Sequence, residues 1–175
     1  EEYRALFDRV KPSFFEMNVA LAFDYFRKRE VEIAVVEVGL GGRLDSTNII
    51  KPLVSVITNI GHDHADLLGD TPEKIAFEKA GIIKQGVPVV LSERQPEIYH
   101  VFEDRADELM ADLLVAEDEY KIENSFQTLN DLQQFLVSRK GKIVYEGPKC
   151  SLLGEYQKKN IPAVKLYKSL GFNIV

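Results

Sequence analysis

The sequence predicts an α/β fold: a mostly parallel sheet flanked by helices, with a small antiparallel β unit near the C-terminal third. Three observations predict it. Apolar runs at residues 33–38, 54–60 and 87–91 have the length of strands. Helical patterns with recognisable start signals alternate with them. Beyond Glu119 the pattern changes to short runs separated by turn residues.

Ser13 and Glu16 have the spacing of a capping box, in which hydroxyl and carboxylate each accept from a free backbone N–H at a helix start. Phe15, Val19, Ala22, Phe23 and Phe26 then recur on one helical face that ends near Arg29. Residues 33–38 are apolar except for Glu37, the pattern of a parallel strand buried on both faces. Residues 54–60 and 87–91 read as two further strands. Between them, Thr71-Pro72-Glu73 supplies an N-cap, a proline at the first helical position and an acidic first turn. That helix is predicted to run to about Lys84, with Gly86 closing it. Residues 97–110 read as another helix and 113–116 as a short strand. Segments 121–128, 134–137 and 142–145, with Arg139-Lys140-Gly141 as a turn, form the predicted antiparallel unit. A last helix is expected over 157–170, ended by Gly171.

Composition narrows the function classes. The 175 residues are 45% apolar and 29% charged, as in an ordinary globular domain with a real core. No apolar run reaches the ~18 residues of a membrane helix. Cys150 is the single cysteine, which excludes an internal disulfide and points to a reducing, cytoplasmic setting. The net charge is −6 with scattered lysines and arginines, so nucleic acid is not an expected partner. The first residues, Glu1-Glu2-Tyr3-Arg4, carry neither an initiator Met nor a secretory signal and read as a cut inside a longer protein.

Three clusters could carry chemistry. Glu37 stands near the end of an apolar run and is followed by Gly39, Gly41 and Gly42, where open α/β sheets bind ligands. A carboxylate poorly hydrated there suits a divalent cation; an edge-strand Glu paired with a basic residue is the alternative. The glycines lack the third member of a dinucleotide fingerprint, since Leu44 stands in its place. His62, His64 and Asp66 follow the 54–60 run with the His-x-His-x-Asp spacing of dinuclear zinc hydrolases, but Leu67 stands where a further His belongs. Lys79 lies in the helix opened by Thr71, where a lysine in the first turns opposes the helix dipole; a solvated surface lysine is its simplest reading.

Taken together, the segments resemble the folylpolyglutamate synthase and dihydrofolate synthase family of Mur-type ligases. The stretches that carry the resemblance are Ser13-Phe14-Phe15-Glu16-Met17, Glu37 to Asn48, Asp63-His64-Ala65-Asp66-Leu67-Leu68-Gly69 and Glu78-Lys79-Ala80-Gly81-Ile82. A fainter match runs from Leu153 to Asn160. The resemblance implies an ADP-forming carbon–nitrogen ligase: ATP phosphorylates a carboxylate of a dihydropteroate or folate substrate, and the amine of L-glutamate attacks the acyl phosphate. It implies Mg²⁺ held by Glu37 and His64, and a carbamylated Lys79 that adds an acidic oxygen ligand. Ser13, Phe14, Phe15, Glu16 and Leu44 match positions that contact the pterin-bearing substrate. Asn160 and Gln157 match the adenine side, although Ile161-Pro162 departs from the family pattern there.

The same resemblance makes residues 1–175 one partial domain, the central ATPase-type domain. Residues 1–118 would form its α/β part, 119–156 the small β unit, and 157–175 a terminal helix and strand start. The family's phosphate-gripping G-x-x-x-x-G-K-[ST] loop has no counterpart in the sequence. The isolated chain is therefore expected to be inactive. The strand before that loop would be missing with it, leaving a sheet edge for another copy or the N-terminal residues to cover; the full-length parent is expected to be monomeric. A metal-dependent hydrolase using His62, His64 and Asp66, and a non-catalytic nucleotide-binding module, are the competing readings.

Overall fold

The computed structural model describes residues 2–61, 65–127, 132–150, 154, 157–169 and 171. The chain divides into two compact units, Glu1–Lys51 and Pro52–Val175.

In the second unit, β1 (Ser55–Ile57), β2 (Val89–Leu91) and β3 (Leu113–Val115) form a parallel sheet in the order β1-β2-β3. Helices α3 (Ala65–Leu68) and α4 (Pro72–Ala80) connect β1 to β2, and α5 (Tyr99–Glu108) connects β2 to β3. Side chains alternate across a strand, so neighbouring residues serve opposite faces. Val89 and Leu91 face a cluster with Ile75, Ile83, Ile98 and Phe102, supplied by α4, α5 and their flanks. Val90 faces a second cluster with Tyr120, Phe135, Val137, Ala163 and Leu166. Val89 and Val90 are both 0% exposed, which is why this run is apolar without alternation.

The second cluster is roofed by the antiparallel unit. The four-residue helix α6 (Ala116–Glu119) leads into β4 (Tyr120–Gln127), β5 (Gln133–Arg139) and β6 (Lys142–Cys150), which pair in that order. Arg139 pairs with Lys142 across a two-residue turn, and Lys140 (φ 50°) and Gly141 (φ 74°) both take positive φ. That is the mirror-image turn whose twist matches flanking strands, and glycine adopts it without steric cost. Helix α7 (Gln157–Ser169) adds Ala163 and Leu166 to the same cluster.

In the first unit, α1 (Arg4–Val10) precedes α2 (Phe14–Lys28). Ser13 caps α2 as predicted: its Oγ accepts from Glu16 N (3.2 Å), and Ser13 N donates to Glu16 Oε2 (2.6 Å). Tyr3 donates to Asp24 Oδ2 (2.5 Å), and Lys28 Nζ reaches Glu2, Tyr3 and Asp24, so a polar clasp ties the start of α1 to the end of α2. The Tyr3 hydroxyl, then Lys28 and Arg27, hold the Asp24 carboxyl well below the usual carboxylate range. A 3-10 turn follows at Ser46–Ile49.

Two expectations need correction. Residues 33–38 are not a buried strand: among the described residues no strand pairs with them, and Val35 is 87% exposed. A parallel strand becomes buried only when neighbours bond both its edges; without them Val36 and Val38 are half-covered while Ile33, Val35 and Glu37 face solvent. The helix opened by Thr71 ends at Ala80, not near Lys84, because Gly81, Ile82 and Ile83 return tight bonds to Glu78, Lys79 and Ala80. This turn buries Ile83 in the core at 1% exposure. Pro162 lies beyond the first turn of α7, where it withholds one ladder N–H; it is buried beside Ala163. No helix among the described residues is long and apolar enough to cross a membrane.

Candidate functional site

The candidate residues fall in both units. In the first, the loop over residues 39–48 closes on one side chain the motif reading passed over. Asp45 Oδ2 accepts from Gly39 N (3.1 Å) and Leu40 N (2.9 Å), and its Oδ1 from Thr47 N (2.8 Å) and Thr47 Oγ1 (2.5 Å). Partial burial works against ionisation, but the Thr47 hydroxyl and the N–H groups of Thr47, Leu40 and Gly39 outweigh it and hold the carboxyl below its ordinary value. The sequence signal was available: an aspartate two residues before a threonine is a common side-chain cap of a turn. Asn48 Nδ2 donates to Arg43 O (3.2 Å) and Asn48 N to Asp45 O (2.9 Å), so the loop is bonded throughout.

This loop meets the start of α2. The Phe15 ring lies so close to Gly39 that a Cβ there would fall 2.4 Å from the ring's Cζ. Any larger residue at 39 would displace the ring or the loop. Thus the structure brings Phe15, on the helix start capped by Ser13 and Glu16, against the Glu37-to-Asn48 stretch. Phe14 (78% exposed) and Leu44 (79%) stand out into solvent, as side chains free to meet a ligand do. Glu37 is also exposed, which corrects the expectation of a poorly hydrated carboxylate. Its hard oxygen donors face solvent and suit Mg²⁺, which retains several waters when bound. Among the described residues, however, no group of three or more His, Cys, Asp or Glu is gathered to hold a metal.

In the second unit the C-terminal ends of β1 and β2 form the rim. The chain leaves β1 through residues 58–60, and Gln95 grips it there: Oε1 accepts from Ile60 N (2.8 Å) and Nε2 donates to Ile60 O (3.0 Å). His62 and His64 lie outside the described residues, and Asp66 is exposed on α3. Lys79 is half-buried in the last turn of α4, not its first turns, so the expected conflict with the helix dipole disappears. The next segment is fixed to β1 by Ser55, whose Oγ donates to Ile82 O (2.9 Å). On α7, Gln157 is 6% exposed and its Oε1 accepts from Asn160 Nδ2 (3.3 Å), so these two predicted residues do meet. Glu37 and Lys79 belong to different units. Ser55 and Gln95 were missed because each acts across more than 25 residues, through contacts no local spacing encodes.

Comparison with known proteins places these features in a family. The Mur ligase middle domain family matches residues 11–166. The chain is 40% identical over 174 residues to the dihydrofolate synthase/folylpolyglutamate synthase of Bacillus subtilis, an alignment that takes in 91% of this chain and 40% of that protein. The apo form of L. casei FPGS superposes with a TM-score of 0.84 at 33% identity, covering 98% of this chain and 44% of that one. Mycobacterium tuberculosis folylpolyglutamate synthase, solved with ADP and AMPPCP, gives a TM-score of 0.82 at 30% identity over 100% of this chain and 42% of its own. The chain therefore spans less than half the length of these relatives, and it belongs to the Mur ligase middle domain family.

Proposed function

We propose that this chain is the central part of an ADP-forming ligase that joins L-glutamate to a dihydropteroate or folate carboxylate. The observation that supports this most is the 40% identity to the B. subtilis enzyme over an alignment of 174 residues, which takes in 91% of this chain. In the reaction the substrate carboxylate attacks the γ-phosphorus of ATP and ADP leaves. The glutamate amine then attacks the acyl phosphate, phosphate leaves, and the amine proton is released to solvent or a base. Each approach sets an anion or a nucleophile against dense negative charge, so positioning and charge compensation carry the catalysis.

The residues divide that work. The loop stapled by Asp45 presents Leu44, and α2 presents Phe14 and Phe15, as an apolar surface for the pterin-bearing substrate. Glu37 and His64 would hold Mg²⁺, with Lys79 joining them in its carbamylated form; the bound ion supplies neutralisation of phosphate oxygens. Gln157 and Asn160 would face the adenine. The setting is cytoplasmic, the working protein monomeric, and neither nucleic acid nor membrane is a partner; the isolated chain self-associates through an exposed sheet edge.

The test exchanges residues 1–175 for the matching stretch of the B. subtilis relative. The graft is expected to form ADP only when both L-glutamate and a dihydropteroate or folate substrate are present. Lys79→Ala should lower that rate about 100-fold or more. The chain alone should form no ADP. ADP formation indifferent to both substrates would overturn the assignment.

A further inference from the structure

The loop that leaves β2 holds more of the rim than its length suggests. Gln95 binds both backbone groups of Ile60. Arg94 stacks on the Tyr99 ring at 4.0 Å, donates to Asp118 Oδ2 (2.8 Å), and its N–H donates to Glu117 Oε1 (2.5 Å). The backbone between Ser92 and Gln95 is thereby fixed on two sides. From this fixed backbone Glu93, whose side chain is 16% exposed, reaches Lys159 on the first turn of α7. Lys159 Nζ lies 3.0 Å from Oε1 and 2.8 Å from Oε2. Its neighbour Asn160 is the residue hydrogen-bonded to Gln157. A partly exposed ion pair adds little stability. What it does set is geometry: the turn carrying Gln157 and Asn160 is referred to the end of β2.

We propose that Glu93 is a positioning residue for the nucleotide-base end of the site, acting through Lys159 to orient the α7 turn that bears Gln157 and Asn160. The proposal rests on the reading of those two residues as adenine contacts. It deepens that reading by naming what aims them.

Adenosine is the probe, since it presents the base without the phosphates. The chain is titrated with adenosine while the side-chain amide signals of Gln157 and Asn160 are followed by nuclear magnetic resonance. The unmodified chain is expected to show weak, saturable shifts. Glu93→Gln and Lys159→Met should each weaken adenosine about fivefold, with Tm nearly unchanged. The double exchange of Glu93→Lys with Lys159→Glu should recover most of the loss. Unchanged affinity in both single variants overturns the positioning role and leaves the base contact standing. A loss that the charge exchange does not restore also overturns it. Absence of any adenosine-dependent shift in the unmodified chain removes the base contact itself, and the positioning role with it.

Discussion

The two units are held together by different forces. In Pro52–Val175, two apolar clusters lie on opposite faces of one parallel sheet, and several members are fully shielded from water. In Glu1–Lys51, Val19 is the one buried residue that the long helix α2 contributes. Order in that unit comes instead from polar side-chain bonds: the Ser13–Glu16 box and the Asp45 staple to backbone, and the Tyr3–Asp24–Lys28 clasp between side chains. Burial is indifferent to pH and tolerant of local change at the surface, whereas a charge-assisted staple depends on one ionised group. The comparison teaches that the loop over residues 39–48, which carries Leu44, is the more easily opened of the two regions by loss of a single charge.

The largest expected effect lies in the second unit. Phe135 is 0% exposed beneath the antiparallel sheet, and Phe135→Ala should cost about 3–5 kcal/mol through lost burial and a cavity. Hydrogen exchange should show amides of β2, β5 and α7 losing protection together, with α2 unaffected. Equal loss in α2 would mean the two units do not unfold separately. A smaller effect is expected for Asp45→Ala, about 2 kcal/mol from removal of charge-assisted bonds, read as faster exchange at Leu40 and Thr47. Acid should mimic it. The Asp45 carboxyl is depressed in the folded state, so it stabilises the loop above the ordinary aspartate value of about 3.9. That stabilisation is lost as pH falls further, through the lower folded value. Opening of the loop already at neutral pH would contradict this.

Much of the fold was legible because it follows from local chemistry. The capping box at Ser13, the Thr71-Pro72 start of α4 and the turn at Lys140-Gly141 each state their geometry in adjacent residues. The strands β1, β2 and β3 were visible as apolar runs at the expected places. Residues 33–38 carry the same pattern yet lack a described partner strand, since a strand is made by its neighbours as much as by its own residues. The end of α4 was misjudged because burial of Ile83 overrides the helical periodicity that continues past Ala80. Of the candidate site, Glu37, Leu44, Lys79 and Asn160 were proposed from motifs. Asp45 required attention to turn chemistry, and Gln95, Ser55 and Glu93 act through long-range contacts that only a folded chain displays.

The central proposal, that a carboxylate, an imidazole and a modified amine gather around one divalent ion, is open to a direct measurement. Mn²⁺ can replace Mg²⁺ at an oxygen-rich site and broadens nearby nuclear magnetic resonance signals. Titrated into the chain with bicarbonate present, it should broaden the signals of Glu37, His64 and Lys79 together, with one shared affinity. Broadening at only one of the three, or at each with its own affinity, would contradict the account.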